Sequence, residues 1–259
     1  HLGRHLAEAG YKVCLLDNYA RGVKDRDFEM LLTEPSVTFC SVDLLDSDSV
    51  LSLGTDFEAI YHLAAIVGVE HVLEQPYRVL IDNSCMLKNV ISLAQKQSRL
   101  SRFLFSSSSE VYAGTLQYFN LPIPTPETSS LAVTSLEQPR TAYMLSKIFG
   151  EAMCHQAQVP FTIFRPHNVY GPRMGMAHVI PEQLKKAFDA KPGDELGVHS
   201  ADHTRTFCYI DDAVEMLLRM LETKSCVGQT LNVGTEMPEV TIRETVAMCV
   251  AVTGKNLRI

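Results

Sequence analysis

The chain has 259 residues, 46% of them hydrophobic and 20% charged, enough for one large core or one core with a small lobe. A net charge of -7 and a pI near 5.7, with no basic run, exclude a general nucleic-acid binder but leave local arginines for a small anionic ligand. Seven scattered cysteines without a C-x-x-C pair exclude a disulfide frame or zinc site and fit reduced thiols in a cytoplasmic protein, with no metal expected.

The chain opens HLGRHLAEAGYKVCLLDN. Leu2, Leu6 and Ala9 fall on one helical face, Gly10 punctuates, and Val13–Leu16 is a short apolar run ending at Asp17. Helix, glycine, strand and acid make the middle of a βαβ unit, so the sequence is expected to start inside one, after its first strand. Further strands are predicted at Val37–Val42, Ala59–Leu63, Arg102–Ser106 and Phe161–Phe164, and helices at Ser47–Leu53, Tyr77–Gln97 and Ala142–Gln156. Strands alternating with helices imply an α/β fold built on a doubly wound parallel sheet. Residues 121–140, rich in Pro, Ser and Thr, read as a long surface loop that carries function. Beyond Pro166 the rhythm loosens, which suggests a smaller lobe. The expected division is 1–170, with 206–235 returning to it, against 171–205 and 236–259. No stretch reaches membrane-spanning length and no signal peptide is visible.

In a dinucleotide fold a glycine loop admits pyrophosphate to a helix N-terminus, and an acid about 20 residues on binds the ribose. With Gly3 as the last loop glycine, Asp17 takes the acid's place. A carboxylate there accepts bonds from a 2′-hydroxyl and repels a 2′-phosphate, favouring NAD over NADP. The plainer alternative is that Asp17 and Asn18 merely start a turn. VDLLD (42–46) and YHLAA (61–65) also follow strands, at the sheet edge where ligands bind. His62 alone reads as a core histidine.

Ser106–Ser109, Glu110, Val111 and Tyr112 follow the fourth strand and form a polar cluster or a serine-rich turn. Further on, Tyr143 and Lys147 stand at i and i+4 and meet on one helical face. An ammonium beside a phenol stabilises phenolate and makes a usable base. Alone, that spacing is a weak signal.

Together, LGRHL…LLDN, VDLLD, YHLAA, Asn83 in the following helix, SSSSEVY, YMLSK, RPHNVYGPR and RTFCYIDDAV occur in order. In these motifs the chain resembles the extended short-chain dehydrogenase/reductases of the nucleotide-sugar epimerase/dehydratase family, most closely UDP-glucose 4-epimerase-like members. The resemblance implies a Rossmann-type NAD domain with a smaller α/β substrate lobe. Since relatives open on a strand and T-G-G-x-G-F-x-G and run on past the position of Ile259, both ends are expected to be clipped. It implies Tyr143 as base, Lys147 on the nicotinamide ribose and lowering the Tyr143 pKa, and Ser108 as hydrogen-bond partner, with Glu110 a further acid/base. The cofactor set would be Gly3, Asp17, Asn18, Asp43, Leu44, Leu63, Ala64, Ala65, Asn83, Tyr143 and Lys147. The substrate set would be Ser109, Asn168, His178, Val179 and Arg205, with Asn168 and Arg205 at the diphosphate. His178 stands where many epimerases carry Asn, and Ala113 replaces the usual glycine after V-Y.

The shared chemistry is hydride removal at a sugar carbon, usually C4. Dehydratases add T-D-E, which here is Ser108, Ser109, Glu110, so the Asp is missing. UDP-glucuronate decarboxylases carry T-S-E and Y-D-E-G-K, against Y-M-L-S-K here. The expectation is a 4-epimerase of an NDP-hexose, above a decarboxylase and both above a dehydratase or 4-ketosugar reductase. An inactive NAD-sensing relative is the non-enzyme alternative. The helices at 77–97 and 142–156 form the dimer bundle of many relatives, implying a homodimer, with no nucleic acid or membrane as partner.

Overall fold

The computed structural model describes residues 1–259, except for the side chains of Val69 and Glu70. Two compact units emerge: His1–Pro166 with Val214–Asn232, and His167–Ala213 with Val233–Ile259. Residues 167–170, 206–213 and 233–235 thus group with the second unit, where the sequence division had them with the first.

In the first unit α1 (Leu2–Glu8), α2 (Arg26–Leu31), α3 (Ser47–Leu51), α4 (Val69–Glu74), α5 (Pro76–Gln95), α6 (Ala113–Tyr118) and α7 (Thr141–Gln156) alternate with strands. The strands are β1 (Val13–Asp17), β2 (Val37–Ser41), β3 (Ala59–His62), β4 (Arg102–Ser106) and β5 (Phe161–Pro166). β1 pairs with β2 in parallel, Val13 opposite Val37 and Asp17 opposite Ser41. A second sheet has the order β3-β4-β5-β9, with β9 at Thr230–Val233. Its first three strands run parallel, His62 opposite Phe105 and Ser106 opposite Phe164. The parallel α/β fold expected is present, its strands hydrogen-bonded in these two groups. Residues of β1 and β3 line a shared cavity of about 910 Å³ with Gly3, Leu6 and Leu44.

The strands form because they can be buried. Phe103, Leu104 and Phe105 in β4 and Ile163 in β5 are buried, and Phe103, Phe105 and Ile163 pack with Leu87, Val90, Ile91 and Ala94 of α5 and Cys154 of α7. A buried parallel strand reads as such a continuous apolar run. Where α7 crosses Phe105, a Cβ on Gly150 would lie 2.4 Å from the ring, so that crossing requires glycine. The 121–140 segment has no helix or strand, as expected, but it is tied down. Thr115 Oγ1 donates to the Ser130 carbonyl at 2.5 Å and accepts from the Ala132 N–H at 3.0 Å.

The second unit holds β6 (Val169–Tyr170), α8 (Val179–Asp189), β7 (Thr204–Arg205), β8 (Cys208–Tyr209), β10 (Val240–Thr241) and α10 (Ile242–Thr253). α9 (Ile210–Glu222) runs from it into the first. Its core is Ala187, Leu196, Ile242, Val246 and Val250, and Thr241 with Glu244 forms a capping box at the start of α10.

Candidate active site

β4 delivers Ser106 at its carboxyl end, and Ser107 and Ser108 continue into a 3-10 turn over Ser109–Tyr112. Ser108 caps that turn from extended backbone, its hydroxyl accepting the Glu110 N–H at 3.2 Å. α7 then presents Tyr143 and Lys147 one turn apart.

Lys147 is buried, and its Nζ donates to the Ser106 carbonyl at 2.7 Å. It stands 5.6 Å from the centre of the Tyr143 ring and 5.2 Å from that of Phe105. Burial pushes its pKa down to about 8. His62, stacked on Phe105 at 6.1 Å, is pushed down to about 3, by burial first and the Lys147 charge second. The core reading of His62 holds.

Tyr143 differs from expectation. Burial raises its pKa, the hydrogen bond with Ser108 pulls it down, and the Glu110 charge adds to the rise, leaving it above its ordinary value. Burial is the largest cause, the expected lowering by Lys147 is not among the causes, and Lys147 is engaged with a backbone carbonyl. Glu110 faces Arg140 at 3.4 Å in a half-exposed pair.

At the nucleotide end a Cβ on Gly3 would lie 3.0 Å from Leu15 Cδ2, so glycine lets α1 approach β1 closely. Asp17 ends β1 at the surface, its Oδ1 accepting the Tyr19 N–H at 2.6 Å, and Asn18 accepts the Ala20 N–H at 3.0 Å. The turn reading and the ribose reading of these residues are compatible. Asp43 is exposed and accepts the Leu45 N–H, while Leu44 packs against the core and its carbonyl accepts from Asn89. Leu63 and Ala64 are exposed and Ala65 half-buried at the carboxyl edge of β3, an apolar surface that a flat ring can cover. Asn83 is buried and its carboxamide is committed to the Ile66 backbone at 2.7 and 3.2 Å and to Ser146 at 3.2 Å. It holds the loop after β3 in place. A helix packed on a strand through glycine, a surface carboxylate at the strand end, a buried amine and an exposed apolar edge suit a dinucleotide.

In the second unit Asn168 adopts a positive φ of 42° and its Nδ2 donates to the Thr206 carbonyl at 3.1 Å, next to exposed Arg205 in β7. Exposed His178 precedes α8, whose first residue is half-buried Val179. Ser109 is half-buried in the 3-10 turn.

Sequence reasoning missed Glu151 and Arg165, which are buried with Ser107 and Tyr112 of the serine cluster. Glu151 lies at i+8 from Tyr143 and Arg165 interrupts the apolar run of β5. A charge on each buried face was the available signal.

Residues 1–234 match the NAD dependent epimerase/dehydratase family. The chain belongs to that family. Its cofactor is NAD, and a structural neighbour from Bordetella bronchiseptica, WbmG, was solved with NAD and UDP; it is 22% identical, with a TM-score of 0.76 over 99% of this chain and 74% of that one. A curated UDP-N-acetyl-alpha-D-glucosaminuronate decarboxylase of Bacillus cytotoxicus is 30% identical over 91% of this chain and 71% of its own length. UDP-glucuronic acid decarboxylase 4 of Arabidopsis thaliana is 28% identical over 86% of this chain, which spans 48% of that protein. A UDP-galactose 4-epimerase structure is 26% identical, with a TM-score of 0.76 over 100% of this chain and 81% of that one. No helix among the described residues is long and apolar enough to cross a membrane, and no His, Cys, Asp and Glu cluster among them suits a metal.

Proposed function

We propose that the protein is an NAD-dependent nucleotide-sugar 4-epimerase. The observation that carries this reading is Tyr143 one helical turn from buried Lys147, whose Nζ is held at the Ser106 carbonyl two residues before Ser108, with the nearby carboxylate of Glu110 engaged by Arg140. Epimerisation needs one proton acceptor at the sugar hydroxyl and a way to return the proton. It needs no further acid or base for elimination.

Asp17, Lys147 and the Leu63–Ala65 edge would hold NAD, which would supply a reversible hydride acceptor. Tyr143 takes the C4 hydroxyl proton, and Ser108 hydrogen-bonds the same oxygen as it becomes a ketone. Lys147 favours phenolate by its charge, and the ligand's arrival must bring that charge into play, because burial alone opposes it. Rotation of the 4-keto sugar presents its other face, and Tyr143 returns the proton. Asn168 and Arg205 take the diphosphate, arginine's fork suiting phosphate oxygens. The exposed faces of α5 and α7, with Tyr77, Ile81 and Phe149, suit a homodimer.

Decarboxylation is the second reading, favoured by the decarboxylase at 30% identity. It shares the oxidation at C4, after which a β-keto acid loses carbon dioxide. Incubation with NAD and a panel of UDP-, GDP-, CDP- and dTDP-sugars separates the two. Interconversion of neutral hexoses, with no free NADH and no carbon dioxide, supports the epimerase. Carbon dioxide from a UDP-uronic acid replaces it with the decarboxylase, and net NADH consumption with a keto-sugar replaces it with a reductase.

A further inference from the structure

Behind the serine turn lies a buried network that the proposed chemistry does not use. Glu151 sits one helical turn beyond Lys147 on α7. Its Oε1 accepts from Arg165 Nε at 2.8 Å and from Ser107 Oγ at 2.5 Å, and its Oε2 accepts from Arg165 Nη2 at 2.6 Å. From β5, Arg165 Nη1 donates to the Tyr112 hydroxyl at 2.5 Å and to the Glu127 carbonyl at 3.1 Å. The guanidinium carbon lies 4.8 Å from the centre of the Tyr112 ring, and the Tyr112 hydroxyl donates onward to Asn232 Oδ1 at 3.0 Å. The two charged side chains are only 8% and 5% exposed.

A buried ion pair is a poor source of stability, because desolvation offsets attraction and an apolar pair of similar volume often serves as well. Its placement here is more informative. Ser106 is held by Lys147 and Ser107 by Glu151, so consecutive residues leading into the turn are held from consecutive turns of α7. Tyr112, at the other end of the turn, is held by Arg165. Ser108 lies between these anchors, and the helix that carries Tyr143 also fixes the turn.

We propose that the Glu151–Arg165 pair is a positioning device that sets Ser108 against Tyr143. The inference rests on the roles given to Ser108 and Tyr143 in the epimerase reading. Glu151 and Arg165 act through the turn and touch no reacting atom.

The test uses the full chain in three measurements: thermal melting, turnover of the nucleotide sugar, and titration of the Tyr143 phenol. Absorbance differences between each protein and its Tyr143→Phe counterpart isolate that phenol without substrate. Ser107→Ala removes one hydroxyl and should stay folded. It should titrate Tyr143 at higher pH, because Ser108 is released, and lose ~10-fold in kcat with KM nearly unchanged. The apolar double variant Glu151→Leu with Arg165→Met should stay folded, show the same upward titration shift and lose ~100-fold in kcat. Parent-like titration and kcat in a folded variant would overturn the proposal and leave the pair as packing alone. If the double variant does not fold, Ser107→Ala decides by the same criteria. A parent that turns over none of the sugars defeats the epimerase reading, whereas the titration still tests the positioning.

Discussion

The wall that carries Tyr143 and the polar residues of the second unit are built on opposite terms. Lys147, Glu151, Arg165 and Ser107 are buried, and each has its hydrogen bonds met by protein. Asn168, His178 and Arg205 are exposed and held lightly, Arg205 by one bond to its neighbour's carbonyl at 2.6 Å. On the proposed function, the difference follows from what each would do. A proton moves over a fraction of an ångström, so donor and acceptor must be fixed before the ligand arrives. A diphosphate brings its own charge, and an arginine that stays hydrated until then avoids the cost of burial.

The largest effect comes from removing the acceptor. Tyr143→Phe should lower kcat by ~100- to 10,000-fold with substrate affinity little changed, as measured by steady-state kinetics and direct binding. A large rise in the dissociation constant would make Tyr143 a binding residue and erase the contrast. Arg205→Ala should act the other way. Loss of charge-assisted bonds, ~1.5–3 kcal/mol, should raise KM by ~10- to 100-fold with kcat and NAD affinity nearly unchanged. An effect on NAD alone would remove Arg205 from the sugar-nucleotide site.

Much of this contrast was legible in the sequence, because its signals are local. The apolar runs at Val13, Val37, Ala59, Arg102 and Phe161 became strands within a residue or two of prediction, and the Tyr143–Lys147 spacing needed only helical geometry. What stayed hidden depends on contacts between distant residues. Glu151 meets Arg165 14 residues away and Ser107 44 residues away, and no periodicity encodes those meetings. Tyr143 went astray for a related reason: its neighbour at i+4 was visible, but the burial that raises its pKa was not.

Packing offers a smaller test of the same contrast. An alanine methyl at Gly150 would sit 2.4 Å from the Phe105 ring, whereas at Gly197 in the second unit it would meet nothing within 4 Å. Gly150→Ala should therefore cost about 1–3 kcal/mol in urea unfolding, and Gly197→Ala should stay within about 0.5 kcal/mol. Equal effects would mean that α7 can shift on β4, and that the wall is less rigid than its contacts imply.

The last effect is the most specific to the wall. The imidazole of His62 ordinarily titrates at 6.5, and burial with the Lys147 charge beside it pushes that down to about 3. Between these values the unfolded chain binds a proton that the folded chain refuses. This contribution to stability is therefore fully present above 6.5 and is lost as pH falls toward about 3, at ~1.4 kcal/mol per pH unit across the window. His62→Phe keeps a ring against Phe105 and removes the titration. Urea midpoints measured from neutral pH down to about 4 should fall less steeply for the variant than for the parent. Because carboxylates elsewhere titrate equally in both proteins, the difference between the two slopes isolates His62. Parallel slopes would mean that the folded protein protonates His62 readily, so that water reaches the back of the wall and Lys147 is not desolvated as its contacts require.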